Sequence, residues 1–205
     1  MQRLSRADAQ SRTRELIVAS ATELFLRDGF TATSLEAVAA HAGFTRGAVY
    51  SNFTSKVSLG TAVIDDLYDR EIARVLALAE SARGDGLAAV ITALDDWART
   101  IVGDQAWFRL EMAVTATNAH DSALKTATAS RYQRIRAATT TLVEELQAAH
   151  GLELPVDAET VALGLFSLFL GLGIQRATDP SVPTGVAAVF VRTLLGGGAT
   201  RPPMP

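Results

Sequence analysis

The stretch TSLEAVAAHAGFTRGAVYSNF, residues 33–53, decides the architecture of the chain. Two short helices can cross closely at a fixed angle when a small residue sits at the crossing, a glycine opens the turn and an apolar side chain of the second helix plugs the corner. Ala39, Gly43 and Val49 meet those needs, at positions 5, 9 and 15 counted from Leu35 as position 1. Thr33 and Glu36 have the T-x-x-E spacing of a capping box for the first helix, and Thr45 is placed to cap the second. This spacing predicts a helix-turn-helix whose second helix offers its N-terminal residues to a DNA major groove; an ordinary helical hairpin fits the same spacing. Gly47 and Ala48 weaken the second helix but let its backbone approach a surface closely. Arg46 has the fork geometry for guanine O6 and N7, Thr45 and Tyr50 carry hydroxyls suited to phosphates, and Asn52 suits a phosphate or a base edge. Each is equally compatible with a solvated side chain. Lys56 opposes the dipole of the helix it begins, and a bound phosphate would relieve that conflict.

Outward from this stretch the periodicity is helical throughout. Ile17, Ala21, Leu24 and Phe25 form the stripe of a helix over Ala7 to Asp28, ended by Gly29. Thr54-Ser55 precedes a long helix from Lys56 toward Ala82, and the Arg83-Gly-Asp-Gly86 tract breaks the chain before a fifth helix carrying Leu87, Val90, Leu94 and Ile101. A long helix ends near Gly151, Pro155-Val-Asp157 opens another to about Arg176, and Pro183-Thr184 opens a last one. The expected fold is all-α: an N-terminal head at residues 7–56, with the helix-turn-helix at about 33–53, joined by a long fourth helix to a helical body at 57–198. Residues 199–205 read as a disordered tail.

With 205 residues, 48% of them hydrophobic and 20% charged, the chain can bury a substantial core. The absence of cysteine excludes disulfides, thiolate nucleophiles and cysteine-bearing zinc sites. Net charge is −3, yet residues 1–56 hold seven basic and five acidic side chains, leaving +2 on the head and −5 on the rest. A positive head on an acidic body suits a head that meets phosphates. His41, His120 and His150 lie far apart without metal-ligand spacing, and no phosphate loop or nucleophile elbow occurs. No enzyme chemistry, metal or cofactor is therefore expected. The N-terminus shows no secretory signal, and the expected location is the cytoplasm.

The residues GFTATSLEAVAAHAGFTRGAVYSNFTSKVSL, from Gly29 to Leu59, closely resemble the DNA-binding domain of the TetR family of bacterial transcriptional regulators. The pattern's opening T-S pair is Thr33-Ser34, its A-x-x-A-G closure is Ala39 to Gly43, and its Y-x-x-F-x-x-K run is Tyr50 to Lys56. The resemblance implies phosphate contacts from Thr33, Tyr50 and Lys56, with Ser34 beside them, and base or backbone contacts from Thr45, Arg46, Gly47, Ala48 and Asn52. Val57 departs from a position often acidic in the family, and Asn52 from one often aromatic or histidine. The implied function is a repressor that binds a palindromic operator as a homodimer and is released by a small-molecule effector. A helical protein–protein interaction module without a DNA target is the alternative.

Thr160 to Gln175, TVALGLFSLFLGLGIQ, carries no charge over sixteen residues and is shorter than the ~20 apolar residues of a membrane span. It reads as a buried helix, in the core or at a subunit interface, and no membrane partner is expected. Since members of the resembled family pair through their last two helices, Gly164, Leu168, Gly171 and Leu172 with Val186, Phe190 and Leu194 are the interface candidates. Trp97, Trp107, Phe108, Met112, Tyr132, Phe166 and Phe169 are candidates for the wall of an effector cavity, or simple core. Such a wall predicts a largely apolar effector.

Overall fold

The computed structural model describes residues 6–117 and 121–196, so the expected tail at 199–205 and His120 lie outside the described residues. The helices are α1 (Arg6–Asp28), α2 (Leu35–His41), α3 (Arg46–Asn52), α4 (Lys56–Ser81), α5 (Leu87–Gly103), α6 (Gln105–Thr117), α7 (Ser122–His150), α8 (Ala158–Thr178) and α9 (Gly185–Gly196). No strand occurs among the described residues. The chain forms two compact units, one of Met1–Leu67 with Arg109–Lys125 and one of Tyr68–Phe108 with Thr126–Pro205.

In the first unit, Ile17, Ala21, Leu24 and Phe25 of α1 are buried as their spacing predicts. Gly29 stops the helix at φ +89°, where a side chain would be strained. Phe30 then folds back edge-on to Phe25, with ring centroids 5.2 Å apart. Helix α1 packs on α2 and α3, and Arg14 closes the small core by stacking over Phe53 at 4.3 Å and donating to the Asn52 carbonyl at 3.1 Å. The unit does not end at residue 56. Leu59, Val63 and Ile64 of α4 are buried, and a methyl group placed at Gly60 would sit 2.8 Å from both Phe30 Cε2 and Val114 Cγ2. Tight apolar packing of α4's first turns and of α6 therefore extends the head beyond the expected boundary.

In the second unit, α5 packs against α8 and α9, burying Val90, Leu94, Ala98 and Ile101. Arg83, in the turn after α4, grips Glu145 of α7 through paired hydrogen bonds of 2.8 and 2.6 Å. Arg134 of α7 pairs with Asp69 of α4, and Arg192 of α9 with Asp95 of α5. Asp157 caps α8 by accepting from the Thr160 N–H at 2.8 Å. At 21 residues α8 is longer than its uncharged run and is long and apolar enough to cross a membrane by length and composition. Its Val161, Ala162, Phe169, Leu172 and Gly173 are instead buried within the unit.

Candidate nucleic-acid interface and cavity

The corner between α2 and α3 has the predicted anatomy. Ala39 is 3% exposed, Val49 is fully buried, and Gly43 adopts φ +72°. Packing of α2 on α3 leaves the opposite side of α3 open: Thr45, Arg46, Gly47 and Tyr50 are exposed and Ala48 is half-buried. Thr45 caps α3 by accepting from the Ala48 N–H at 3.2 Å. Arg46 pairs through Nε with Glu36 at 2.9 Å, and its Nη2 lies 3.4 Å from the Tyr50 hydroxyl. These two neighbours, Tyr50 first, hold the guanidinium pKa above its usual value. An exposed ion pair of this kind contributes little to stability, so the guanidinium can exchange it for a base edge.

Beside α3 runs an open depression whose wall includes Ser34, Glu36, Tyr50, Ser55 and Lys56. Here the structure corrects the expected cap of α2 and shows what holds Thr33 and Lys56. Ser34, not Thr33, caps α2, accepting from the Ala37 N–H at 3.0 Å. Thr33 is only 5% exposed and donates its hydroxyl to the Gly29 carbonyl at 2.9 Å, so it tightens the turn after α1 at the edge of this depression. Lys56 is half-buried rather than a free surface charge. Its Nζ donates to the Thr31 carbonyl at 2.9 Å and lies 4.7 Å from the centre of the Phe30 ring. Burial lowers its pKa, and an ammonium has further donors to turn toward the depression. Asn52 folds its Nδ2 back onto the Ala48 carbonyl at 2.8 Å and lies 3.4 Å from the Ser51 hydroxyl.

The second unit encloses a cavity of about 70 Å³ among α4 to α9. Trp97, Trp107, Phe108, Phe166 and Phe169 are among its lining residues. Met112 and Tyr132 are not: Met112 is half-buried in the part of α6 that belongs to the first unit, and Tyr132 packs behind the wall, 5.0 Å from the Phe166 ring. The wall holds one carboxylate, Glu71, which sequence reasoning missed. Glu71 Oε2 accepts from Trp97 Nε1 at 2.8 Å, while Arg74 pairs with Oε1 at 3.3 Å. Arg131 was missed too. It is 1% exposed, with its guanidinium 5.6 Å from the Tyr68 ring centre. Its position four residues before Ile135 on the apolar stripe of α7 was the available signal.

Of the interface candidates, Gly164 and Phe190 are exposed, and Leu168, Gly171 and Val186 half-buried. Leu172 is buried in the unit's own core and Leu194 lines the cavity, so neither faces outward as expected. Leu163, Ile174 and Val189, 51%, 38% and 51% exposed, complete the outward apolar face with Phe190 at 57%. Among the described residues no group of three or more metal-ligating side chains occurs.

An all-helical chain whose N-terminal unit presents a reading helix on a tight glycine turn is a helix-turn-helix DNA-binding regulator. Residues 17–63 match the model of bacterial regulatory proteins of the tetR family, and residues 87–197 match that of the C-terminal domain of BetI-type transcriptional repressors. The chain belongs to the TetR family of transcriptional regulators. It is similar to the HTH-type transcriptional regulator TtgR of Pseudomonas putida, 38% identical over 69 residues, which are 34% of this chain and 32% of the relative. The chain thus matches about a third of that relative's length. In fold it is similar to a TetR-family transcriptional regulator from Pectobacterium atrosepticum, with TM-score 0.73 and 18% identity, over 98% of this chain and 100% of that one. E. coli NemR in its reduced form gives TM-score 0.68 at 20% identity, over 90% and 98% of the two chains.

Proposed function

We propose that the protein is a cytoplasmic repressor that binds a palindromic DNA operator as a homodimer and is released by a small, largely apolar effector. The observation that carries this reading is the α3 surface. Arg46, Gly47 and Tyr50 stand exposed above a buried Val49, beside a depression edged by Ser34 and Lys56. Arg46 reads a base edge, Tyr50 and Lys56 meet phosphates, and Gly47, with only the Thr45 hydroxyl within 4 Å of its side-chain position, lets the helix backbone approach the groove. Ser34, Thr45 and Ala48 flank these contacts.

Four large apolar side chains, Leu163, Ile174, Val189 and Phe190, stand on α8 and α9, and an outward patch of that kind marks an association surface. Pairing two copies there gives a two-fold protein that reads half-sites about one DNA turn apart. The cavity takes the effector, with Trp97, Trp107, Phe108, Phe166 and Phe169 in its wall. Selection of the purified protein against a random duplex pool, at low and moderate salt, tests the reading. A palindromic consensus is expected. Retention without any consensus, or no retention at low salt, overturns it.

A further inference from the structure

The cavity wall carries a polar imbalance. Glu71, its one carboxylate, already accepts from Trp97 and pairs with Arg74. Thr139 spends its hydroxyl proton on the Ile135 carbonyl at 2.9 Å. Trp107 differs: it lines the cavity at 6% exposure, and its Nε1–H is buried with no acceptor among the described residues. The indole is held in place. Asp104 accepts from the Trp107 backbone N–H at 3.0 Å, Tyr68 stands edge-on to the ring at 5.1 Å, and Phe108 stacks on it at 6.0 Å with a 13° tilt. A buried donor left unmade carries a desolvation cost that an acceptor removes. Water is a poor occupant, because it needs ~2–4 polar partners and these walls are almost wholly hydrocarbon.

From this imbalance we infer that the cavity takes a neutral, mostly apolar ligand bearing one hydrogen-bond acceptor oxygen, which receives the Trp107 indole proton. The inference rests on the reading of the helical body as the effector-binding part. A carboxylate ligand is disfavoured by Glu71, and a pure hydrocarbon leaves the indole unsatisfied. A cavity of about 70 Å³ is smaller than the roughly 150 Å³ hole that admits benzene, so a one-ring ligand enters as a wall side chain turns.

Acetophenone and α-methylstyrene form the matched probe pair, nearly identical in shape and differing by a carbonyl oxygen against a methylene. The chain has two tryptophans, so the full-length protein labelled with 15N at the indoles gives two indole signals, assigned with Trp107→Phe. Acetophenone is expected to move the Trp107 indole proton downfield and leave Trp97, already bonded to Glu71, nearly still. It is expected to bind about three- to tenfold more tightly than α-methylstyrene, the factor that one net hydrogen bond supplies. Trp107→Phe is expected to equalise the two probes. Equal affinities in the unsubstituted protein, movement of Trp97 alone, or binding of neither probe overturns the inference. DNA retention by the same preparation is scored separately, so loss of the regulator reading and loss of the ligand assignment are distinguishable.

Discussion

Replacing Gly173 with alanine puts a methyl group into the ring of Phe108. The added carbon would fall closer than 2.5 Å to three atoms of that ring, whereas ordinary contact begins near 3.4 Å, so the ring has to retreat by about 1 Å or more. Phe108 is 4% exposed and stacked against Trp107, which leaves it little room. Overpacking of this kind costs about 1–3 kcal/mol, against a gain of about 0.8–1 kcal/mol from replacing glycine inside a helix. The net expectation is a loss of up to about 2 kcal/mol. At roughly 2–4 °C per kcal/mol for a chain of this size, the melting midpoint falls by a few degrees. A second substitution, Phe108→Leu, removes the ring. In that background Gly173→Ala is expected to raise the midpoint, giving a coupling of about 1–3 kcal/mol between the two positions. Calorimetry of the four proteins measures it. A Gly173→Ala protein that melts at or above the parent, with no coupling to position 108, would refute the claim that the glycine exists to seat the ring.

Lys56→Ala is expected to weaken binding to all duplex sequences alike and to lower the slope of log affinity against log salt by about 0.9 per half-site, measured by fluorescence anisotropy between roughly 50 and 200 mM salt. An unchanged slope would confine Lys56 to its bond with the Thr31 carbonyl. Arg46→Ala is expected to lose about tenfold of the preference for one base per half-site in a selection experiment; a uniform loss over all sequences would place its contact on phosphate. Asp157→Asn keeps an oxygen for the Thr160 N–H while removing the charge. Because that N–H holds the Asp157 carboxyl below its ordinary value, its stabilisation is present above the ordinary carboxylate pKa and is lost as pH falls through the lowered one. The variant should therefore lose less of its melting temperature than the parent on acidification below pH about 4, and an identical pH profile would remove Asp157 from the acid response.

The corner of the head was legible because its requirements are local. A left-handed glycine, a small crossing residue and an apolar plug lie within a dozen residues, and Gly43, Ala39 and Val49 each satisfy one of them. The N-cap of α2 was displaced by one residue for a reason no local pattern contains. Thr33 and Ser34 are both good caps by type, and the choice falls to Ser34 because the Thr33 hydroxyl is drawn to the Gly29 carbonyl in the turn below. Lys56 holds a contact of the same non-local kind: its Nζ donates to the Thr31 carbonyl, twenty-five residues earlier in the chain, a bond its spacing on α4 does not reveal.

The body was less legible because α8 is apolar on every side, and an apolar residue there is equally suited to facing in or out. Gly164 and Gly171, two of the interface candidates, meet no other element of the chain within 4 Å of their side-chain positions, and the α8 glycine that seats a neighbour within the unit is Gly173. Leu163 and Ile174 stand outward while Leu172 turns in, so at about 3.6 residues per turn the exposed face lies roughly a quarter-turn from the glycine pair. What distinguishes the faces is the partner: Phe108 occupies the inner one, and its ring is also part of the cavity wall. Packing of α8 and the shape of the cavity are therefore one variable.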